Sequence, residues 1–115
     1  MKTKFKDILD IDDVHAAFLI APDGKVLMQQ VVMHAGEDLK RFDWRLFAQS
    51  MGAVREAELV FDNVRLYLRQ SPAGLVIVVM GRFALIAMVR LNVDILMPAL
   101  EQSKKQSKGL GRFFR

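Results

Sequence analysis

Cysteine is missing from all 115 residues. Its absence removes disulfide staples, thiolate nucleophiles and the usual structural zinc sites together. Histidine is scarce as well. His15 and His34 are the only two, and they lack the i, i+4 spacing of a helical metal pair, so no metal is expected. No G-x-x-x-x-G-K-[ST] loop is present to cradle nucleotide phosphates. A stand-alone enzyme needs a positioned base with a nucleophile or metal. Two unrelated histidines and scattered acids do not supply one, so the expectation is a protein with no catalytic residues and no cofactor. Long apolar runs are also lacking. The longest uncharged stretch, Gln70–Gly81, is closed by Arg82, well short of the ~20 residues of a membrane span. The opening MKTKFKDILDIDD is basic and then acidic, without the apolar core of a signal peptide. A cytoplasmic protein is the expectation.

What is present is apolar and unevenly charged. Apolar residues make up 52% of the chain. A single domain of this length buries about two thirds of its unfolded surface, so a self-association face is expected for the excess. The formal net charge of +4 hides a division. Residues 103–115 carry Lys104, Lys105, Lys108, Arg112 and Arg115 and no acid, while the remainder holds 12 basic against 13 acidic residues. The body is nearly neutral and the end is cationic. The expected organisation is one domain over residues 1–103 and a basic, flexible tail over 104–115.

Along the chain, Phe5, Ile8, Leu9 and Ile11 suit a short helix that ends by about Asp12, because acids in a last turn oppose the helix dipole. Val14–Ala21 reads as a strand buried on both faces. Pro22-Asp23-Gly24-Lys25 is a turn, since proline presets φ, aspartate bonds the backbone locally and glycine accepts positive φ. Lys25–Met33 returns as a second strand. Leu39, Phe42, Leu46, Phe47, Met51, Val54 and Phe61 recur largely at three- and four-residue intervals and predict a helix from about Asp38 to Ala57 or a little beyond. Glu58–Phe61 is ambiguous between helix end and short strand. Three apolar runs then suggest a meander: VRLYLRQ, LVIVVM after Ser-Pro-Ala-Gly, and FALIAMVRL after Gly81-Arg82. The last run could instead open a long helix. Pro98 deep inside such a helix would cost about 3 kcal/mol, so the expectation is a third strand over Phe83–Leu91. A closing helix would follow from Asn92–Asp94, with Val93, Leu96, Met97 and Leu100 on its core face.

The order helix, two strands, helix, three strands, helix resembles the Roadblock / dynein light chain superfamily. The residues that carry the likeness are ILDIDDVHAAFLIAPDGKVLMQQ across the first hairpin and VRLYLRQSPAGLVIVVMGRFALIAMVRLNVDILMPAL across the meander and closing helix. The resemblance covers roughly residues 5–103 and is strongest to small stand-alone bacterial members. It implies an α+β, profilin-like fold of α-β-β-α-β-β-β-α order, with helices packed on a five-stranded antiparallel sheet. It further implies a dimer, of this chain with itself or with a Roadblock-like paralogue, formed by sheet edges or central helices. Such dimers act as non-catalytic platforms for small Ras-like GTPases.

Two candidate contact regions stand out. Phe42, Trp44, Phe47 and Met51, beside the small residues Ser50, Gly52 and Ala53, could form a dimer or partner face, because aromatic residues concentrate binding energy at interfaces. A broad buried helix face would account for the same pattern. In the tail, Lys104, Lys105, Lys108 and Arg112 interleave with Phe113 and Phe114, a pattern suited to an acidic protein groove, an anionic membrane or nucleic acid. A solubilising end explains it equally. Membrane or nucleic acid enters only through this tail. Arg82 reads as an exposed hairpin tip, His15 as a satisfied strand histidine, and Asp12 and Asp13 as a solvated helix exit.

Overall fold

The computed structural model describes residues 5–32 and 43–113, and for residues 44, 47 and 101–113 the backbone alone. In chain order the elements are α1 (Lys6–Leu9), β1 (Val14–Ile20), β2 (Val26–Val31), α2 (Trp44–Ser50), β3 (Glu56–Val60), β4 (Arg65–Ser71), β5 (Gly74–Met80) and α3 (Ile86–Phe113). The five strands form one antiparallel sheet in the order β2-β1-β5-β4-β3. β1 and β5, the two most apolar strands, lie in its middle, as strands covered on both faces should.

Alternation along the strands divides the core in two. Val14, Ala17, Leu19, Tyr67, Val76, Val78 and Met80 face α1 and α3, which add Phe5, Ile8, Val89, Val93 and Leu100. Ala16, Phe18, Ile20, Leu66, Leu68, Ile77 and Val79 face the other way, toward Ala48 of α2. The first turn is as expected. Gly24 adopts φ +89°, and a Cβ there would strike the backbone of Arg45, so the hairpin tip lies directly against α2.

The α+β order is the expected one, but two of its elements differ from the sequence reading. The central helix was expected to reach Ala57 and instead stops at Ser50. Gln70 explains the stop: its Nε2 donates to the Met51 carbonyl at 3.0 Å, and its backbone N–H donates to the Arg55 carbonyl at 2.9 Å. These bonds draw the chain onto the sheet, and the ambiguous ELV segment pairs with β4 as β3. Ala57 and Leu59 pack inward while Glu58 and Val60 stay exposed. The expected start near Asp38 lies outside the described residues, as do Leu39 and Met33.

The second difference is larger. Phe83–Leu91 is not a strand, and Gly81-Arg82 is not a hairpin turn. The chain leaves β5 and enters α3, whose buried positions Val89, Val93, Leu96 and Leu100 follow helical spacing. Pro98 is tolerated within it. Pro98 and Asp94 are both exposed, so the carbonyl deprived of a donor is open to water. Burying four aliphatic side chains at about 1.5–3 kcal/mol each outweighs a cost of about 3.

The β5–α3 joint is fastened from two sides. Asp13, in the left-handed region at φ +66°, accepts the Gly81 N–H on its carbonyl at 2.8 Å and the Phe83 N–H on Oδ2 at 2.8 Å. The Arg65 guanidinium donates to the Gly81 carbonyl at 3.0 and 3.1 Å and also to the Ala84 carbonyl. A Cβ on Gly81 would collide with the Asp13 carboxylate. Asp13 is therefore a clamp rather than a solvated helix exit. His15 Nε2, 2.9 Å from Asp13 Oδ1, orients it. The His15 hydrogen bond, then the Phe83 N–H, hold the Asp13 carboxyl below its usual range. A depressed carboxyl stabilises the fold above its unfolded value of about 3.9 and loses that contribution as pH falls through the lower folded value.

Two outcomes follow. Gly81→Ala should destabilise by about 1–3 kcal/mol in urea unfolding. Asp13→Ala should be less stable than the parent at pH 7, and the difference should shrink as pH is lowered below about 4.

Candidate functional site

Three surface regions bear on function: α2, the ion-pair network beneath α3, and the groove between α1 and α3. α2 begins where Asp43 Oδ1 accepts the Leu46 N–H at 3.1 Å, an N-cap. At its other end Ser50 Oγ donates to the Leu46 carbonyl at 2.8 Å. Ala48 is buried against the sheet, whereas Leu46, placed on the core stripe by its spacing, is 60% exposed. A cleft of about 190 Å³, lined by Ile20, Pro22, Ala48, Gly52, Gln70 and Leu75 among others, separates this region from the β4–β5 turn.

Of the residues expected to form a contact face, Met51 lies just past α2, half-buried against the α2-side core. Trp44 and Phe47 are backbone members of α2, but their side chains, and all of Phe42, lie outside the described residues. Lys104, Lys105, Lys108, Arg112 and Phe113 belong by backbone to α3, so the boundary expected after residue 103 falls inside that helix. Phe114 lies outside the described residues.

Beneath α3 the charges are mutually occupied. Arg69 Nη1 donates to Glu56 Oε2 at 3.2 Å and to the Tyr67 hydroxyl at 3.2 Å, and pairs with Asp94 at 2.7 Å. Arg90 reaches the same Glu56 at 3.0 Å. Burial pushes the Tyr67 phenol up, and the Tyr67 hydrogen bond is the main reason the Arg69 guanidinium is held charged. The network ties α3 to β3 and β4. It is an architectural set rather than a reactive one, since every carboxylate in it is neutralised by an arginine.

The third region was missed in the sequence because Phe83–Leu91 was read as a strand. Asp7, Asp10 and Asp12 rim an open groove of about 730 Å³ whose apolar wall is Ile11, Phe83, Leu85 and Met88. Phe83 is 79% exposed and Leu85 68%. Leu91 and Ile95 continue the apolar surface along α3. Arg82 is exposed in the turn before α3. The usable signal was the second apolar period, 85-88-95, beside the core period 89-93-96-100.

Among the described residues there is no group of three or more histidines or acids that could hold a metal ion, and no helix long and apolar enough to cross a membrane. Solved structures of the same architecture decide the fold. A Roadblock/LC7 domain from Streptomyces avermitilis superimposes with a TM-score of 0.68 at 18% identity, covering 91% of this chain and 94% of that one. The chain has the Roadblock fold. MglB of Myxococcus xanthus gives 0.70 at 13% identity, covering 90% of each chain. The gliding protein mglB of Thermus thermophilus gives 0.65 at 18%, covering 88% and 82%. No family model matches the sequence, and no curated protein is similar to it in sequence. The Roadblock scaffold is thus shared in topology at 13–18% sequence identity.

The two apolar periods of α3 can be told apart by substitution. Leu85→Ser should leave unfolding free energy within about 0.5 kcal/mol of the parent. Val89→Ser should cost about 2–4 kcal/mol by loss of burial and an unsatisfied hydroxyl. Equal costs would mean that Leu85 belongs to the core.

Proposed function

We propose that this protein is a non-catalytic, dimeric scaffold or regulator of a small Ras-like GTPase, working in the cytoplasm. The observation that carries the reading is that apolar side chains of α2 and the outer strand stand outside the core of a Roadblock fold. Leu46 is 60% exposed and Val60 69%. β3 is the last strand of the sheet, and an outer strand offers a row of backbone groups to a second strand. Edge strands and central helices are the elements by which the resemblance implies pairing. Phe42, Trp44, Phe47 and Met51 belong to this proposed face, Trp44 and Phe47 by their place on the helix that carries Leu46 and Met51 just past its end, and Phe42 by its helical spacing in the sequence from Leu46. The likeness to the gliding proteins MglB supports a GTPase as the partner and a platform rather than an enzyme as the role.

Light scattering after size exclusion should report two copies at micromolar concentration, with little dependence on salt because the contact is apolar. Leu46→Glu combined with Val60→Lys should weaken association by at least about tenfold while leaving the melting temperature within a few degrees. A strict monomer over the micromolar range would remove the core of the proposal, unless a Roadblock-like paralogue restores the dimer. The partner is tested by recovering a small GTPase from the native cell and measuring its nucleotide exchange and hydrolysis with and without this protein. Unchanged rates and no complex would exclude regulation.

A further inference from the structure

The groove between α1 and α3 and the cationic end of α3 are complementary in charge, yet one chain cannot bring them together. Three exposed carboxylates, Asp7, Asp10 and Asp12, rim the groove, and none of them bonds to another described residue. The start of α3 adds about half a positive charge, and the exposed Lys6 and Arg82 are chain neighbours of the groove-lining Asp7 and Phe83, so the three negative charges are offset only in part. Residues 104–112 carry Lys104, Lys105, Lys108 and Arg112 with no acid. At about 1.5 Å per residue, Lys104 stands roughly 24 Å along the helix from Met88, which lines the groove, and Arg112 roughly 36 Å. The backbone is helical throughout that span, so the cations move away from their own groove.

A second copy has no such constraint. We propose that the α1–α3 groove is the docking site for the cationic 104–112 segment of a second copy, the two α3 helices running antiparallel. The midpoint of α3 falls between Ala99 and Leu100. Antiparallel helices centred there place Lys104 at the register of Ile95, Lys108 at that of Leu91 and Arg112 at that of Ala87. The apolar surface of Leu85, Met88, Leu91 and Ile95 then loses contact with water, and each copy's acids meet its partner's cations. The contact is reciprocal, as a two-fold interface requires. It goes beyond the α2 and β3 contact and does not depend on it.

The test uses the full chain, whose lack of cysteine makes single introduced thiols unambiguous. Asn92 and Ser107 stand at opposed registers in the proposed pair. Copies carrying Asn92→Cys, mixed with copies carrying Ser107→Cys under mild oxidation, should form a mixed disulfide at low salt, and its yield should drop about tenfold in 1 M salt. A tail swap (Lys104→Glu, Lys105→Glu, Lys108→Glu) should suppress it by a similar factor. A groove swap (Asp7→Lys, Asp10→Lys, Asp12→Lys) should do the same, and both swaps in one chain should restore it. If the triple groove variant fails to fold by circular dichroism, Asp12→Lys alone should shift the yield in the same direction. A yield indifferent to salt and swaps, or no recovery in the doubly swapped chain, overturns the proposal. So does tail-dependent sedimentation with phosphatidylserine vesicles in the absence of the mixed disulfide. A dimer that survives the tail swap without the disulfide overturns this inference and leaves the α2 reading standing. A disulfide that persists in the Leu46→Glu, Val60→Lys variant supports this inference whatever becomes of that reading.

Discussion

The placement of α3 depends on one joint, the five residues between β5 and that helix. A strand end and a helix start both leave backbone groups without regular partners. Here the residue just before β1 and the first residue of β4, the two strands that flank β5, reach over its end. Asp13 receives the N–H groups of Gly81 and Phe83, and Arg65 donates to the carbonyls of Gly81 and Ala84. The two residues have opposite hydrogen-bonding character, one accepting and one donating, so together they serve both kinds of orphan group. The chain is thereby turned out of the sheet at a set angle, and Val89, Val93, Leu96 and Leu100 come down on the face that Tyr67, Val76 and Val78 leave open.

This joint also explains what could and could not be read in the sequence. The first hairpin was legible because its determinants are local: Pro22, Asp23 and Gly24 fix the turn, and the apolar run of β1 fixes burial. The central strands were legible for the same reason. The path after Gly81 was not, because what makes it a helix start lies far away in sequence, at Asp13 and Arg65. Local rules then favoured the wrong outcome, since Gly81-Arg82 suits a hairpin and Pro98 argues against a long helix. The five-strand count survived only because the ELV segment, paired with Arg65–Tyr67 of β4, supplied the strand that Phe83–Leu91 did not.

The same error concealed the groove. Read as a strand, Leu85, Met88 and Leu91 are scattered apolar positions with core roles. Read as helix, they form a second stripe beside the buried one, and α3 proves apolar over more of its circumference than the sheet can cover. Asp12, which looked like part of a helix exit, gains meaning together with Asp7 and Asp10 only when the start of α3 is brought against α1. The Trp44 region had the opposite history. Its aromatic content was plain in the sequence, and the exposure of Leu46 on the same helix adds a geometric reason to regard that surface as a contact face.

The two proposed contacts differ in physics, and that difference bears on assembly. Pairing through α2 and β3 joins apolar side chains and strand edges and is insensitive to ionic strength. Pairing through α3 sets four cations of one copy against three carboxylates of the other over an apolar strip, and it weakens as salt screens the charges. Each is self-complementary about a two-fold axis. A chain with two distinct two-fold contacts closes into a four-copy assembly where the axes intersect at right angles, into a larger closed ring where they meet at a smaller whole-number fraction of 180°, and otherwise extends into an open array. Because α2 and α3 lie on opposite faces of one sheet, the two contacts do not compete for surface. Salt alone would then separate a two-copy state, held by the apolar contact, from the larger assembly that the charged contact adds.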